Sequence, residues 1–178
     1  HAAALELVRE TQSFGRGVLV PDVLHPVCAA IFRGVEDAAL EAGYTVILSS
    51  TDGHEDRERD ILAALQSRLI DGMVVASASL RDTSVSWLRE QRIPHVLVNR
   101  YSDLKDSFVG SDDELGARMA TGHLIALGHR RIGHLAGSSR YSTAANRRRG
   151  GPQALEAAGI DVDREPVAEP GLATGAAV

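Results

Sequence analysis

The sequence predicts an α/β fold: a parallel, Rossmann-like sheet with helices on both faces, in three layers. Three observations predict it. Short apolar runs alternate with longer stretches of helical periodicity along most of the chain. The runs, such as Val18-Leu19-Val20 and Met73-Val74-Val75-Ala76, lack polar alternation, as strands do when both faces are covered. The helical stretches stop on glycines, at Gly43, Gly128 and Gly159.

Ala2 to Arg9 is a helical candidate rich in alanine and leucine, broken at Thr11 to Gly15. Gly17 to Pro21 reads as a strand. Pro26 suits a first helical turn, and Val27, Ile31, Val35, Ala38 and Ala42 mark one face of that helix. Tyr44 to Leu48 is a second strand. Glu55 to Gln66 is a helix, acidic at its start as the helix dipole favours, with Ile61, Leu62 and Leu65 inward. Met73 to Ala76 is a strand, and Val85, Trp87 and Leu88 lie on a helix. His95 to Val98 and Phe108 to Gly110 are strands. Ser111-Asp112-Asp113-Glu114 opens a helix with capping-box spacing. Leu115, Met119, Ala120, Leu124 and Leu127 give that helix an apolar face, and Ile132 to Leu135 follows as a sixth strand. A last helix spans Thr143 to Ala158, and Asp161 to Pro170 reads as loop.

The 178 residues are 44% hydrophobic and 24% charged, ordinary for a globular domain with a core of its own. Aromatic residues are 4%, so the core is aliphatic. A net charge of -5 argues against a chain that is, as a whole, a nucleic-acid-binding module. The single Cys28 excludes an internal disulfide and suits a reducing cytoplasm, the expected location. No apolar run approaches the ~20 residues of a membrane span, and the start lacks the apolar stretch of a signal peptide.

Ligands of parallel sheets bind beyond the carboxyl ends of the strands. That selects residues 22–27, 49–52, 77–79, 99–101, 111–113 and 137–141. Chemistry elsewhere is sparse. His123, His129 and His134 share no helical face and have no acidic or cysteine partner at ligand spacing, so no metal is expected. Asp52-Gly53-His54-Glu55-Asp56 lacks the alternating carboxylates of a calcium loop and is better explained as an acid-rich helix start. There is no G-x-S-x-G elbow, no G-x-x-x-x-G-K-[ST] loop and no G-x-G-x-x-G after a strand, so neither a cofactor nor an enzyme is expected. Asp22, Asp52 and Asp112 follow strands as in a phosphoacceptor receiver domain, but that domain's paired acids and its lysine are missing. Cys28 reads as a packing residue and Thr143 in part as a helix cap. Arg147, Arg148 and Arg149 splay by ~100° each, which leaves Arg148 and Arg149 as solvated charges.

Several motifs resemble LacI/GalR-family transcriptional regulators, in order and over Ala2 to Ile160. Gly17-Val18-Leu19-Val20-Pro21-Asp22 with His25-Pro26 resembles the family's first strand and its P-D-x-x-N-P loop. Gly34-Val35-Glu36-Asp37-Ala38-Ala39 with Gly43-Tyr44 resembles G-x-E-x-A…G-Y. Ile70-Asp71-Gly72-Met73-Val74-Val75 resembles V-D-G-I-I-L, and Ile93-Pro94-His95-Val96-Leu97-Val98-Asn99-Arg100 resembles I-P-V-V-L-V-D-R. Gly116 to Gly137 and Ser142-Thr143-Ala144-Ala145-Asn146-Arg147-Arg148-Arg149-Gly150 complete the set.

The resemblance implies the effector-sensing region of a bacterial regulator, a repressor with a type I periplasmic-binding-protein fold. Its two subdomains close on a small polar effector such as a sugar, and operator DNA is read through a headpiece outside this chain. A homodimer follows from the same resemblance, without a membrane. The implied ligand-binding residues are Arg147, Asn99, Arg100, Tyr141, Thr143, Asp22, Ser77, and Val27 with Cys28 where relatives place stacking rings. Leu7 falls near the hinge-helix leucine that enters the minor groove in relatives. The implied domains are 1–15 as hinge remnant, 16–138 as the N-terminal subdomain and 139–178 as the start of a second. Departures stand out: Asn99 for the usual acid, no stacking ring, and Gly151-Pro152 where relatives have an aromatic and a polar residue. The competing reading is a solute-binding protein of sugar transport, which shares the fold.

Overall fold

The computed structural model describes residues 15–66, 70–162 and 167–168. The helix expected at Ala2 to Arg9, and Leu7 with it, lies outside these residues. The chain divides into two compact units between Val109 and Gly110.

The first unit runs β1 (Gly15–Val20), α1 (Pro26–Glu41), β2 (Thr45–Ser50), α2 (Glu55–Gln66), β3 (Gly72–Val75), α3 (Thr83–Glu90), β4 (His95–Val98) and β5 (Phe108–Val109). All five strands are parallel, in the order β2-β1-β3-β4-β5. Because the order reverses between β1 and β3, the loops leaving those two strands diverge to opposite faces and leave a crevice.

Side chains alternate across a strand, and β1 shows both destinations. Leu19 packs with Leu62 and Leu65 of α2, Val85 and Leu88 of α3, and Met73, Val75 and Leu97 of the neighbouring strands. Val18 and Val20 point the other way, to Cys28 and the half-buried Ile31, Phe32 and Val35 of α1. Each of Val18, Leu19 and Val20 is fully buried, a contribution of about 1.5–3 kcal/mol per side chain. The two faces are unequal. The face under α2 and α3 is closed, whereas most of the apolar partners under α1 are only partly covered. On α1 itself Cys28 and Ala39 are the buried residues, and Val27, expected inward, is exposed. His25 caps the helix, its Nδ1 accepting from the Val27 N–H at 3.3 Å, and of the predicted face Ile31 and Val35 do pack inward.

The second unit holds α4 (Asp113–Ala126), β6 (His134–Leu135), α5 (Ser142–Ala157) and β7 (Val167–Ala168). Asp112 caps α4 by accepting from the Leu115 N–H at 2.9 Å, and Gly128 leaves it with φ 91°, the left-handed exit expected of a helix-ending glycine. One expectation is corrected here. Ile132 to Leu135 is not a sixth strand of the first sheet: only His134 and Leu135 are extended, paired in parallel with Val167 and Ala168 from a stretch read as loop. Within this unit α4 packs along α5. None of α4's residues is buried, and Leu115, Met119, Leu124 and Leu127 are exposed, so its periodic apolar face is not a core face among the described residues.

Candidate functional site

At the carboxyl end of β1, Asp22 folds the loop back: its Oδ1 accepts from the Leu24 N–H at 2.8 Å, and its carbonyl accepts from the His25 N–H at 3.2 Å. Asp22 and Val27 are exposed around the start of α1. Cys28 is not part of that exposed rim; it packs with Val18, Val20 and Ala76. Burial pushes its thiol upward, against the opposing pull of the Asp22 backbone N–H and the Arg100 charge. The guanidinium of Arg100, beyond β4, therefore acts on the same corner that Asp22 builds.

Beyond β3, Ser77 is buried, and its Oγ donates to Glu58 Oε1 of α2 at 3.0 Å. Glu58 is a buried acid that sequence reading missed, since its pattern is that of an ordinary helix-start carboxylate. Beyond β4, Asn99 sits at φ 65°, a left-handed conformation that Asn and Asp tolerate better than other side chains. Its N–H donates to the Val109 carbonyl at 2.8 Å, and the Arg100 N–H donates to Val98 at 2.7 Å, which fixes the turn leaving the strand. Tyr101 meets Phe108 edge-on at 5.3 Å between ring centroids and ties the following loop to β5.

In the second unit Tyr141, not Thr143, is the residue before α5, and its side chain makes no cap hydrogen bond. Thr143 is buried in the helix's first turn. The cap expected of it fails because the helix begins earlier, at Ser142. The Arg140 guanidinium lies 5.6 Å from the centre of the Tyr141 ring.

Arg147 Nε donates to Asp113 Oδ1 at 2.8 Å, with the arginine side chain 55% exposed and the carboxylate 15%. Arg149 is not simply solvated: its Nε donates to Glu114 Oε2 at 3.0 Å, and Gln153 Nε2 donates to Glu114 Oε1 at 2.7 Å. Those two partners, Gln153 first, hold the Glu114 carboxyl below the usual glutamate range. The seam depends on Gly150, where a Cβ would lie 2.0 Å from the Glu114 carbonyl oxygen. No signal in the sequence pairs Asp113 or Glu114 with these arginines; the capping-box spacing of Ser111 to Glu114 accounts for both as residues of a helix start.

The described residues thus gather Asp22, Val27, Asn99 and Arg100 at one edge of the first unit, and Tyr141, Thr143 and Arg147 on the first turns of α5. Ser77 is turned toward Glu58. A groove of about 440 Å³ between α2 and α3, lined in part by Glu55, Arg59, Trp87 and Glu90, holds none of them. Among the described residues no three His, Cys, Asp or Glu side chains gather as metal ligands. No helix among them is long and apolar enough to cross a membrane.

Residues 15–176 match the model of a family described as periplasmic binding proteins and the sugar binding domain of the LacI family. The chain is 34% identical over 140 residues to the ribose operon repressor of Halalkalibacterium halodurans, covering 79% of this chain and 41% of that protein. It is similar in structure to the transcription regulator CcpA of Lactococcus lactis, with a TM-score of 0.83 and 31% identity over 90% of this chain and 59% of the other. A Cra transcriptional dual regulator from Pseudomonas putida, solved in complex with fructose 1-phosphate, has a TM-score of 0.78 at 26% identity, covering 89% of this chain and 59% of that one. The chain therefore spans well under two thirds of the length of these relatives.

Proposed function

The chain belongs to the family of periplasmic binding proteins and LacI-type sugar binding domains, and from that premise we propose that it senses a small polar effector, a sugar, for a bacterial transcriptional repressor. The match over residues 15–176 carries the reading. The named repressor among its relatives favours regulation over transport, and the fructose 1-phosphate of the Pseudomonas putida structure supports a sugar-like ligand.

On this reading Asp22, Asn99 and Arg100 are the ligand contacts of the first unit, with exposed Val27 beside them. Cys28 and Ser77 act from beneath, as packing and as the partner of Glu58. Tyr141 and Arg147 are the contacts of the second unit, with buried Thr143 supporting them from the first turn of α5. Arginine's fork suits hydroxyl oxygens that accept two N–H groups. The ligand is held and released unchanged: its work is to bind two conformations unequally and so shift their populations. Operator affinity then changes by the same coupling free energy. Operator contact through a DNA-reading headpiece, a homodimer and a cytoplasmic setting belong to the same proposal.

The test is calorimetry of the protein in its full length against a panel of neutral mono- and disaccharides. One of them should bind saturably, and Arg147→Ala should weaken it by about tenfold or more, the scale of a lost charge-assisted hydrogen bond. Unchanged binding by the variant would remove Arg147 from the site. Operator affinity that stays constant as the bound sugar is added would refute the regulator reading.

A further inference from the structure

We infer that Asp113 determines the charge class of the ligand, making the Arg147 position selective for uncharged polyols over phosphorylated or carboxylate-bearing molecules. The inference rests on the proposed role of Arg147 and goes further by assigning a residue that selects among sugars.

Arg147 is not a free cation. Its Nε is held by Asp113 Oδ1 at 2.8 Å, and that carboxylate is mostly covered, on the first turn of α4. A helix N-terminus favours a negative charge there, so the local dipole supports the charged partner. The seam is fixed from both sides. One residue along, Glu114 takes Arg149 and Gln153, and Gly150 lets the two helix backbones approach closely enough for both pairs to form. Asp113 therefore does not swing away at the cost of one rotamer alone; the neighbouring pair holds α4 in place against α5.

The bond to Asp113 uses Nε, and the Nη groups take no part in it. A molecule arriving at Arg147 meets N–H donors beside a carboxylate that accepts. A sugar hydroxyl both donates and accepts, so a pair of neighbouring hydroxyls satisfies donor and acceptor together. A phosphate or carboxylate oxygen only accepts, and it brings a second negative charge against Asp113, where like charges disfavour each other. The Arg147–Asp113 pair together carries little net charge to offer an anion.

The experiment uses the full-length protein and two kinds of probe: inorganic phosphate alone, and the matched pair D-fructose and fructose 1-phosphate. Calorimetry of the parent should show no saturable binding of inorganic phosphate at Arg147. Asp113→Asn keeps the size and an acceptor oxygen for Nε but removes the charge. It should gain about two- to fivefold in affinity for phosphate, the scale of one partly exposed charge. The gain should disappear in Asp113→Asn combined with Arg147→Ala. The ratio of fructose to fructose 1-phosphate affinity should shift toward the phosphorylated member by a similar factor. Asp112, not Asp113, caps α4, so the variant keeps the helix start, and Asp113→Ser serves as a second charge-removing variant. A parent that binds phosphate as tightly as its Asp113→Asn variant overturns the inference. So does a gain that survives loss of Arg147. Failure of the underlying reading looks different: sugar binding is then indifferent to Arg147→Ala, while the phosphate series still reports on Asp113.

Discussion

Gly150→Ala puts the α4–α5 seam under direct strain, and the sign of its effect discriminates between two accounts of that glycine. Inside a helix, replacing glycine by alanine ordinarily stabilises by about 0.8–1 kcal/mol. At Gly150 the new Cβ would fall 2.0 Å from the Glu114 carbonyl oxygen, 2.9 Å from its carbonyl carbon and 3.1 Å from Ala117 Cβ. An ordinary carbon–oxygen approach is about 3.3 Å or more. The deficit exceeds an ångström, and the atoms it meets first are backbone, which cannot rotate aside. The helices must separate. That lengthens the 2.8, 3.0 and 2.7 Å bonds of Arg147, Arg149 and Gln153 beyond hydrogen-bond range. Overpacking costs about 1–3 kcal/mol, and three partly exposed polar contacts add about 0.5 kcal/mol each. After the propensity gain the net destabilisation is about 1.5–3.5 kcal/mol. Urea titration followed by circular dichroism measures it, and amide exchange locates it in α4 and α5. Gly122→Ala is the control. It lies within α4 with nothing within 4 Å of its Cβ position, so it should stabilise by up to about 1 kcal/mol. A Gly150→Ala chain as stable as the parent, with α4 and α5 equally protected, would refute the close-approach argument.

Pro152 lies inside α5, where it has no N–H for the carbonyl four residues back; Pro152→Ala should raise stability by about 1–3 kcal/mol in the same titration, short of the full cost of a mid-helix proline. Glu114 is held below the usual glutamate range, so its contribution is present above the unfolded value and is lost as pH falls through the folded one. Glu114→Gln should remove that part of the acid dependence, and an acid melting profile identical to the parent's would count against the Gln153 and Arg149 contacts. Burial raises the Cys28 thiol, so its contribution is complete below the unfolded thiol value and fades as pH rises through the higher folded one. Iodoacetamide should label native Cys28 far more slowly than the urea-unfolded chain at neutral pH, and equal rates would show that the thiol is not packed in the core.

The elements were legible where a single local cause decides them. Glu55–Gln66 and His95–Val98 have the bounds the pattern predicts, since an acid-rich start and a proline before an apolar run act within a few residues. Periodicity reports which residues are apolar, not what covers them. Leu115, Met119, Leu124 and Leu127 repeat at helical spacing yet stand exposed along α4 and at its C-cap. The partner of β6 comes from Val167–Ala168, a distance no local rule reaches. At the candidate site, the positions past strand ends followed from topology alone. The ion pairs of Asp113 and Glu114 did not, because they join residues on different helices and depend on one glycine between them.

The left-handed turn at Asn99 has an evolutionary consequence. With φ at 65°, the backbone admits Asn, Asp and Gly readily and most other side chains only at a cost. Aspartate, the residue that the family resemblance implies at this position, and the amide found here are nearly equal in size, so either can stand in the turn without reshaping it. Exchanging one oxygen for an amino group removes a negative charge and adds a donor in the same place. A lineage can therefore alter the charge and hydrogen-bonding of this corner in a single step, while larger changes there meet backbone strain first.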